Sequence, residues 1–268
     1  MFPPKLPRYW NFIPGETVGD PGRTIRMHSR RGRDNGPGKP ALILVPGLVV
    51  TSRNVGPTAE RLQDRFSVYC VDLPGFGPSD NPTRVPDVPQ LAAALLAWMD
   101  AAGLPEAHLF GNSFGCQVIA EVAVQAPARV QSLIFTGPAL DPGIRRFWQP
   151  AWRLLADSLV EPLLMLPTLY DFWETGLPRV LGIYFACLAD RIEDKLPRLM
   201  QPTLLVRGKR DVICRADWLQ RMRALLPGSA ATLRTIDRAP HAVAYSRPEA
   251  VAQLVREFLD YQGSSSPA

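Results

Sequence analysis

One pentapeptide constrains the fold of this chain more than any other feature. It is Gly111–Gly115, with the sequence Gly-Asn-Ser-Phe-Gly, and the apolar run Ala107–Phe110 before it predicts a buried strand. Apolar residues at helical spacing follow it until Pro127. A Gly-x-Ser-x-Gly turn between strand and helix is sharp, and glycine at both flanks removes side chains that would collide there. The sequence therefore predicts that Ser113 presents its hydroxyl above the end of a strand.

The charge balance gives no positive sign of nucleic-acid binding. The net charge is +5 in 268 residues. Much of the excess comes from arginines near the N-terminus: Arg23, Arg26, Arg30, Arg31 and Arg33. No aromatic-interleaved basic stripe or binding motif accompanies them, so we interpret the group as a solvated hairpin or loop and expect no nucleic-acid partner.

The cysteines and the N-terminal residues bear on the compartment. The four cysteines are far apart and have no metal or redox spacing: Cys70, Cys116, Cys187 and Cys214. Prolines at positions 3, 4 and 7 interrupt the place where a signal peptide has its apolar core. No run approaches the roughly 18 apolar residues of a membrane span. We therefore expect a cytoplasmic protein with no disulfides and no membrane span.

Predicted strands and helices alternate along most of the chain. An antiparallel pair is predicted around residues 10–13 and 24–28, followed by a loop over 30–40. The later strands are predicted at 41–45, 66–72, 107–110, 130–136, 203–207 and 231–236. Helices are predicted to begin near residues 57, 87, 114, 215 and 246, the last with a capping box of Ser246 and Glu249. This alternation predicts an α/β fold, with a mostly parallel central sheet flanked by helices.

The alternation is interrupted between residues 139 and 200. This segment is helical in character, is broken by prolines, and gathers many aromatic residues: Phe147, Trp148, Trp152, Tyr170, Phe172, Trp173, Tyr184 and Phe185. The aromatic residues fit a core for the insertion itself and also an apolar lid over a site at the strand ends. We predict a core of residues 1–138 and 201–262, a helical cap over 139–200, and a disordered tail over 263–268.

A serine hydroxyl needs a base before it becomes a good nucleophile, and the chain offers three histidines. His28 lies in the opening strands, before the parallel sheet begins. His108 enters the strand that leads to Ser113, on the far side of a rigid strand end. His241 lies in a loop after the last predicted strand, where the carboxyl ends of strands converge. We therefore predict His241 as the base, with a structural role as the alternative.

At this point the chain resembles the α/β-hydrolase superfamily, in its single-domain branch with a helical cap. The residues that carry the likeness span positions 41 to 262, and their joint order is more specific than any one motif. They are Pro46-Gly47, the segment from Asp72 to Asp80, Gly111–Gly115, Gly208–Asp211 and Ala239–His241. In the family the segment at 72–80 is a structural turn, and we interpret it so here.

The resemblance implies partners for Ser113 and His241. Asp211 follows the penultimate strand, in the family's order Ser…Asp…His, and is predicted to orient His241. Asp141 is the competitor, because it follows the strand after the serine's helix, whereas Asp237 is interpreted as a turn residue. The backbone amides of Leu48 and Phe114 are predicted to form the oxyanion hole.

The resemblance also narrows the expected reaction. A serine nucleophile argues against the dehalogenases and epoxide hydrolases of the family, which use aspartate. Gly-Asn-Ser is similar to carbon–carbon bond hydrolases, but those carry a glycine-rich oxyanion loop and a tryptophan after the histidine. This chain has Leu48-Val49-Val50 and Ala242 instead. We therefore expect a serine esterase for a small apolar ester or acyl substrate. No metal or organic cofactor is expected. A carbon–carbon hydrolase, a perhydrolase and a non-catalytic receptor are the alternatives, and the oligomeric state stays open.

Overall fold

The computed structural model describes residues 6–33, 35–36, 38–139, 141–142, 152, 162–227 and 231–265. Within these ranges, eight strands form one sheet: β1 (Arg8–Pro14), β2 (Thr24–Arg31), β3 (Ala41–Val45), β4 (Ser67–Val71), β5 (Ala107–Asn112), β6 (Val130–Thr136), β7 (Thr203–Gly208) and β8 (Ala231–Ile236). Their order across the sheet is β1-β2-β4-β3-β5-β6-β7-β8. β1 and β2 are antiparallel to their neighbours, and all pairs from β4 to β8 are parallel. The predicted α/β sheet with an opening antiparallel pair is confirmed.

Helices cover both faces of the sheet. They are α1 (Gly56–Leu62), α2 (Val88–Ala101), α3 (Gly115–Gln125), α4 (Pro162–Thr175), α5 (Leu177–Ala189), α6 (Ile192–Lys195), α7 (Ala216–Leu225), α8 (Val243–Ser246) and α9 (Pro248–Ser265). Successive side chains of a strand point to opposite faces, so the continuous apolar run of β3 serves two cores. Leu42 and Leu44 pack towards α1, α8 and α9. Ile43 and Val45 pack towards α2, α3 and α7.

The strand order places a crevice at the carboxyl ends of β3 and β5. The chain leaves β3 towards α1 and β4 on one side, and it leaves β5 towards α3 and β6 on the other. Ligand sites of open α/β sheets lie where neighbouring strands diverge in this way. The residues that follow these two strands, Pro46–Leu48 and Ser113, therefore meet at the expected place for a site.

Three local predictions need correction. The capping box at Ser246 is not formed, because its hydroxyl donates to the Ala242 carbonyl and Glu249 pairs with Arg61 of α1. The final helix α9 instead begins at Pro248 and continues to Ser265. Residues 263–265, predicted as disordered, are therefore helical, and residues 266–268 lie outside the described part.

The N-terminal arginines are not simply a solvated loop. β2 continues to Arg31, so the loop predicted from residue 30 begins later. Arg30 is 7% exposed, and its Nε donates to the Ser52 hydroxyl. Arg31 lies over the rings of Tyr9 and Tyr69. These side chains are therefore structural parts of the opening strands, which their sequence spacing alone did not indicate.

The segment between β6 and β7 supplies α4, α5 and α6, which we call the inserted helices. Phe147 and Trp148 of its predicted aromatic set lie outside the described residues. The described aromatic residues divide between the two interpretations. Tyr184 is buried and Phe172 packs against the core beneath, whereas Trp173 and Phe185 are more than half exposed. The aromatic content alone therefore did not indicate which side chains face inward.

Candidate active site

Ser113 lies in the sharp turn between β5 and α3. Its backbone φ is +52°, in the left-handed region that residues other than glycine rarely adopt. Such a conformation costs on the order of 1–3 kcal/mol, so the surrounding structure must hold it. The Ser113 amide donates to the Thr136 carbonyl at 2.9 Å, and the Ser113 carbonyl accepts from the Cys116 amide at 3.0 Å. The turn is therefore held from β6 on one side and from α3 on the other.

The two glycines of the motif are required by close backbone approach. A Cβ at Gly111 would lie 2.7 Å from the Cys116 nitrogen, and one at Gly115 would lie 2.4 Å from the Val45 carbonyl oxygen. Neither neighbour is a flexible side chain that could move aside. The predicted reason for glycine at both flanks is thus observed directly, and the Gly115 contact shows that the turn lies against the end of β3.

His241 lies in the loop after β8, and its ring reaches Ser113. Its Nε2 is 3.0 Å from the Ser113 Oγ, which is hydrogen-bond distance. A Cβ at Gly137 would lie 3.1 Å from the His241 ring, so this glycine leaves the room that the imidazole occupies. Of the three histidines, His241 is therefore the one that the fold brings to Ser113.

Asp211 completes a chain of three polar side chains. Its Oδ2 is 2.9 Å from the His241 Nδ1. Its Oδ1 accepts from the amides of Ile213 and Cys214 at 2.8 and 2.7 Å. Arg207 donates to the carbonyls of Asp211 and Cys214, which closes the turn around the carboxylate. Both carboxylate oxygens are thus occupied, so the side chain is fixed in the orientation that meets the imidazole.

The two competing aspartates pair elsewhere. Asp141 accepts from Arg221 of α7 at 2.6 Å. Asp237 is exposed and accepts from Lys209 at 3.0 Å. The structure therefore places Asp211 at His241, as the chain order indicated, and gives Asp141 a partner on a neighbouring helix.

The proposed oxyanion donors lie beside the serine. A Cβ at Gly47 would be 3.3 Å from the Ser113 Cβ, so the turn after β3 that carries Leu48 lies against the serine. Phe114 is the N-cap residue of α3, where the backbone amides of a helix point outward and favour negative charge. The Phe114 ring is fully buried and stacks on Phe76. Its side chain therefore supports the core.

Comparison with known proteins agrees with this geometry. A model of the alpha/beta hydrolase family matches residues 42–254, most of the chain, and that range holds Ser113, Asp211 and His241. This protein belongs to the alpha/beta hydrolase family. The resemblance inferred from the sequence motifs is thereby confirmed.

Two sequence relatives and one solved structure are similar to this alpha/beta hydrolase over most of its length. N-formylmaleamate deformylase of Pseudomonas putida is 26% identical and aligns over 93% of this chain and 98% of its own. A pimeloyl-[acyl-carrier protein] methyl ester esterase of Stenotrophomonas maltophilia is 27% identical, and the alignment covers 82% of this chain and 93% of the esterase. A thermophilic esterase of Thermogutta terrifontis superposes on this chain with a TM-score of 0.77 and is 22% identical to it. The superposition covers 94% of this chain and 98% of the esterase, and it shows the fold. The two sequence relatives are hydrolases and support hydrolase activity here.

The other two histidines of the hydrolase have structural partners, and His28 is fully buried whereas His108 is partly buried. The His28 Nδ1 is 2.6 Å from the Asp72 Oδ2, and both side chains are fully buried. The His108 Nδ1 is 2.9 Å from the Ser132 Oγ. Burial lowers the pKa of His108 to about 4, against a smaller opposing effect of Glu106. The segment that begins at Asp72 is therefore structural, as interpreted from the sequence.

The loop after β3 (residues 46–55, the β3 loop) contains residues that sequence reasoning did not single out. Asp72 accepts from the amide and the hydroxyl of Ser52 at 2.5 and 2.9 Å. Asp171 of α4 accepts from the amide and the hydroxyl of Thr51 at 3.1 and 3.2 Å. No motif marks Thr51 or Asp171, and 120 positions separate them in the chain. Only the folded chain could show this contact.

In the described part of the chain, no group of three or more histidine, cysteine or acidic side chains is placed to hold a metal ion. None of the described helices has the length and apolar character needed to cross a bilayer. The four cysteines are all buried.

Proposed function

We propose that this alpha/beta hydrolase cleaves a carboxylic ester, or a related acyl compound, with an apolar portion. The observation that carries the proposal is the continuous contact from Ser113 Oγ to His241 Nε2, and from His241 Nδ1 to Asp211, at 3.0 and 2.9 Å. A hydroxyl with a base in reach, and a base oriented by a carboxylate, is the arrangement that activates serine for acyl transfer.

The proposed reaction proceeds in two halves. Ser113 attacks the carbonyl carbon while His241 accepts the hydroxyl proton. His241 then gives that proton to the leaving alcohol, and an acyl-enzyme remains on Ser113. Water repeats the sequence, with His241 as base, and releases the acid. Asp211 holds the imidazole in the required tautomer and stabilises the imidazolium that forms in each half.

The oxyanion of both halves is proposed to lie between the amides of Leu48 and Phe114. Two supports are the contact of Gly47 with Ser113 and the place of Phe114 at the start of α3. Fixed donors aimed at developing charge are a large part of such catalysis, and losing one costs about 10²–10³ in rate. Neither side chain takes part, so substitutions there act through the backbone.

We propose that residues 139–200 act as a cap on a core of residues 1–138 and 201–262. Two contacts support this division. Asp171 of α4 bonds the β3 loop beside the crevice. Gln117 of α3 donates to the Cys187 carbonyl near the end of α5 at 3.1 Å. The inserted helices thus bind the sheet's crevice edge and α3, which is where a cap must bind to bury an apolar substrate portion.

The deformylase relative favours a second candidate, hydrolysis of an N-formyl amide, because its alignment covers nearly the full length of both chains. The same three side chains would serve, with His241 protonating a leaving nitrogen instead of an oxygen. An assay that compares esters of increasing acyl length with N-formyl amides of matched size separates the two candidates.

The test is intact mass after exposure to a fluorophosphonate, which joins phosphorus to an activated serine oxygen and releases fluoride. We expect one adduct on the wild type and none on Ser113→Ala. Ser246→Ala is the matched control, because that hydroxyl bonds the Ala242 carbonyl of its own short segment, and it should label like the wild type. A folded wild type without an adduct contradicts the proposal and favours a non-catalytic receptor on the same fold.

A further inference from the structure

The β3 loop contains a residue with a strained backbone conformation. Val49, directly after Leu48, has a φ of +56° and is fully buried. A β-branched residue in the left-handed region is a genuine outlier that costs on the order of 1–3 kcal/mol. Such strain persists only where the surrounding structure fixes the backbone on both sides. The proposed oxyanion amide of Leu48 therefore depends on whatever holds the residues that follow Val49.

Two aspartates hold those residues, and they come from different parts of the fold. Asp72, at the end of β4, bonds the amide and hydroxyl of Ser52 from within the core. Asp171, on the inserted helix α4, bonds the amide and hydroxyl of Thr51. Arg53 also donates to Asp171 and, through its Nε, to the Thr51 hydroxyl at 3.0 Å. Three consecutive loop residues are thus fixed by side chains, and one of the two aspartates that hold them belongs to the inserted segment.

The orientation of α4 is unusual for an amphipathic helix. Asp171 is 3% exposed, while its neighbours Tyr170 and Trp173 are 51% and 81% exposed. A helix normally buries its aromatic residues and exposes its carboxylates. A buried carboxylate is costly unless it is hydrogen-bonded, and burial raises the pKa of Asp171 although Arg53 and the Thr51 amide oppose that shift. Asp171 therefore takes an inward position on this helix and binds the β3 loop from it.

We propose that Asp171 is a positioning residue for the reaction: it fixes the β3 loop so that the Leu48 amide faces the developing oxyanion. The inference rests on the proposed function, because it assigns a second requirement to the same site. It means that the oxyanion hole is complete only while α4 lies on the crevice. The inserted segment then contributes to the rate of acyl transfer as well as to substrate binding.

The first experiment compares Asp171→Asn with Glu174→Gln on an ester that the wild type cleaves. Glu174 is the matched control, because it lies on the same helix and within 3.9 Å of Arg53 but has no bond to the loop backbone among those described. We expect kcat of Asp171→Asn to fall by about 10–100-fold, below the loss of an entire donor, with KM changed less than about threefold. Glu174→Gln should stay within about twofold. A rise in KM alone would overturn the proposal, as would an unchanged kcat.

A second variant removes the same contact from the loop side. Thr51→Val keeps the shape of the side chain, including the methyl that packs against Gly77, and removes only the hydroxyl. It should lower kcat in the same direction by a smaller factor. The double variant should lose less than the product of the two single losses, since both act on one contact. Fully multiplicative losses would show that the two residues act separately and would contradict the proposal.

Amide hydrogen exchange distinguishes a failure of this inference from a failure of the proposed function. We expect the peptide that spans Leu48–Arg53 to exchange faster in Asp171→Asn and Thr51→Val than in the wild type, and at the wild-type rate in Glu174→Gln. If exchange of this peptide is unchanged in both Asp171→Asn and Thr51→Val, the positioning role of Asp171 is overturned, even if phosphonylation of Ser113 succeeds. A wild type that takes no phosphonate refutes the proposed function and the catalytic half of this inference, whatever the exchange shows.

Discussion

The hydrolase contains two buried histidine–aspartate pairs that are chemically alike and differ in what the second ring nitrogen meets. In each pair an imidazole Nδ1 contacts an aspartate Oδ2, at 2.9 Å for His241 and Asp211 and at 2.6 Å for His28 and Asp72. The His241 Nε2 reaches the Ser113 hydroxyl. The His28 Nε2 is buried without a hydrogen-bond partner in the described part of the chain, and its ring makes a T-shaped contact with the Trp10 ring.

A histidine–aspartate contact does not by itself mark a site. His28 lies within β2 and is closed in by the sheet, whereas His241 lies in a loop beyond the end of β8. The carboxyl end of a parallel sheet gathers loops that belong to different strands, so a loop histidine there can meet a loop serine. The topology, and not the strength of the pair, separates the functional pair from the structural one.

The largest expected effect tests that separation directly. His241→Gln should lower kcat by about 10⁴-fold or more, because no other base reaches Ser113 among the described residues. His28→Gln should lower kcat by less than about tenfold. Steady-state rates on one ester, with circular dichroism to confirm folding, measure both. If His28→Gln lost as much activity as His241→Gln while remaining folded, the comparison would fail.

The second prediction concerns the carboxylates. Asp211→Asn should lower kcat by about 10³–10⁴-fold, because an amide in that place no longer holds the imidazole in the productive tautomer. Asp141→Asn is the matched control, since it removes the same charge from a residue that pairs with Arg221. We expect it to stay within about threefold of the wild type. Equal losses in the two variants would reopen the choice between these aspartates.

The third prediction concerns the stability of the fold instead of catalytic activity. Removing one partner of a buried hydrogen-bonded pair typically costs about 1–3 kcal/mol, and more where the remaining group is charged, because that group stays buried without its partner. His28→Gln should therefore lower the free energy of unfolding by about 3 kcal/mol in urea, with an unchanged m-value. His241→Gln should lower it less, because His241 lies in a loop beyond the end of β8 and not within the sheet. A reversed order of the two losses would contradict the assignment of roles.

Much of the fold was predictable because apolar periodicity is a local signal. The buried runs of β3, β4 and β6 stand out from their neighbours in sequence. α2 begins beside the predicted residue 87, where Asp87 and Gln90 form a capping box. The errors came from contacts between distant residues. The box at Ser246 failed because Glu249 pairs with Arg61, 188 positions away.

The candidate site divides in the same way. The turn at Ser113 is a local feature, and His241 was identifiable because the chain has only three histidines. Asp211 required the order of the strands, which the family resemblance supplied. The support of the β3 loop was not predictable, because Thr51 and Asp171 belong to no motif and meet only when α4 lies on the crevice.

The smallest expected effect uses the third histidine, whose partner is a hydroxyl instead of a carboxylate. Burial holds the pKa of His108 near 4, below the value of 6.5 expected in the unfolded chain. The unfolded state therefore takes up a proton first as the pH falls. The stability from this group is complete above about pH 6.5 and is lost progressively between pH 6.5 and pH 4, on the order of 1–3 kcal/mol in total.

The difference between wild type and His108→Gln isolates that contribution, because other titrating groups are common to both proteins. The glutamine side chain in this variant does not titrate, and Ser132 keeps a polar neighbour. The free energy of unfolding in urea should fall more steeply with decreasing pH in the wild type, with the two curves converging towards pH 4. Parallel curves would mean that His108 titrates alike in the folded and unfolded states. Partial burial beside a hydroxyl would then not suffice to keep the His108 imidazole neutral in the folded state.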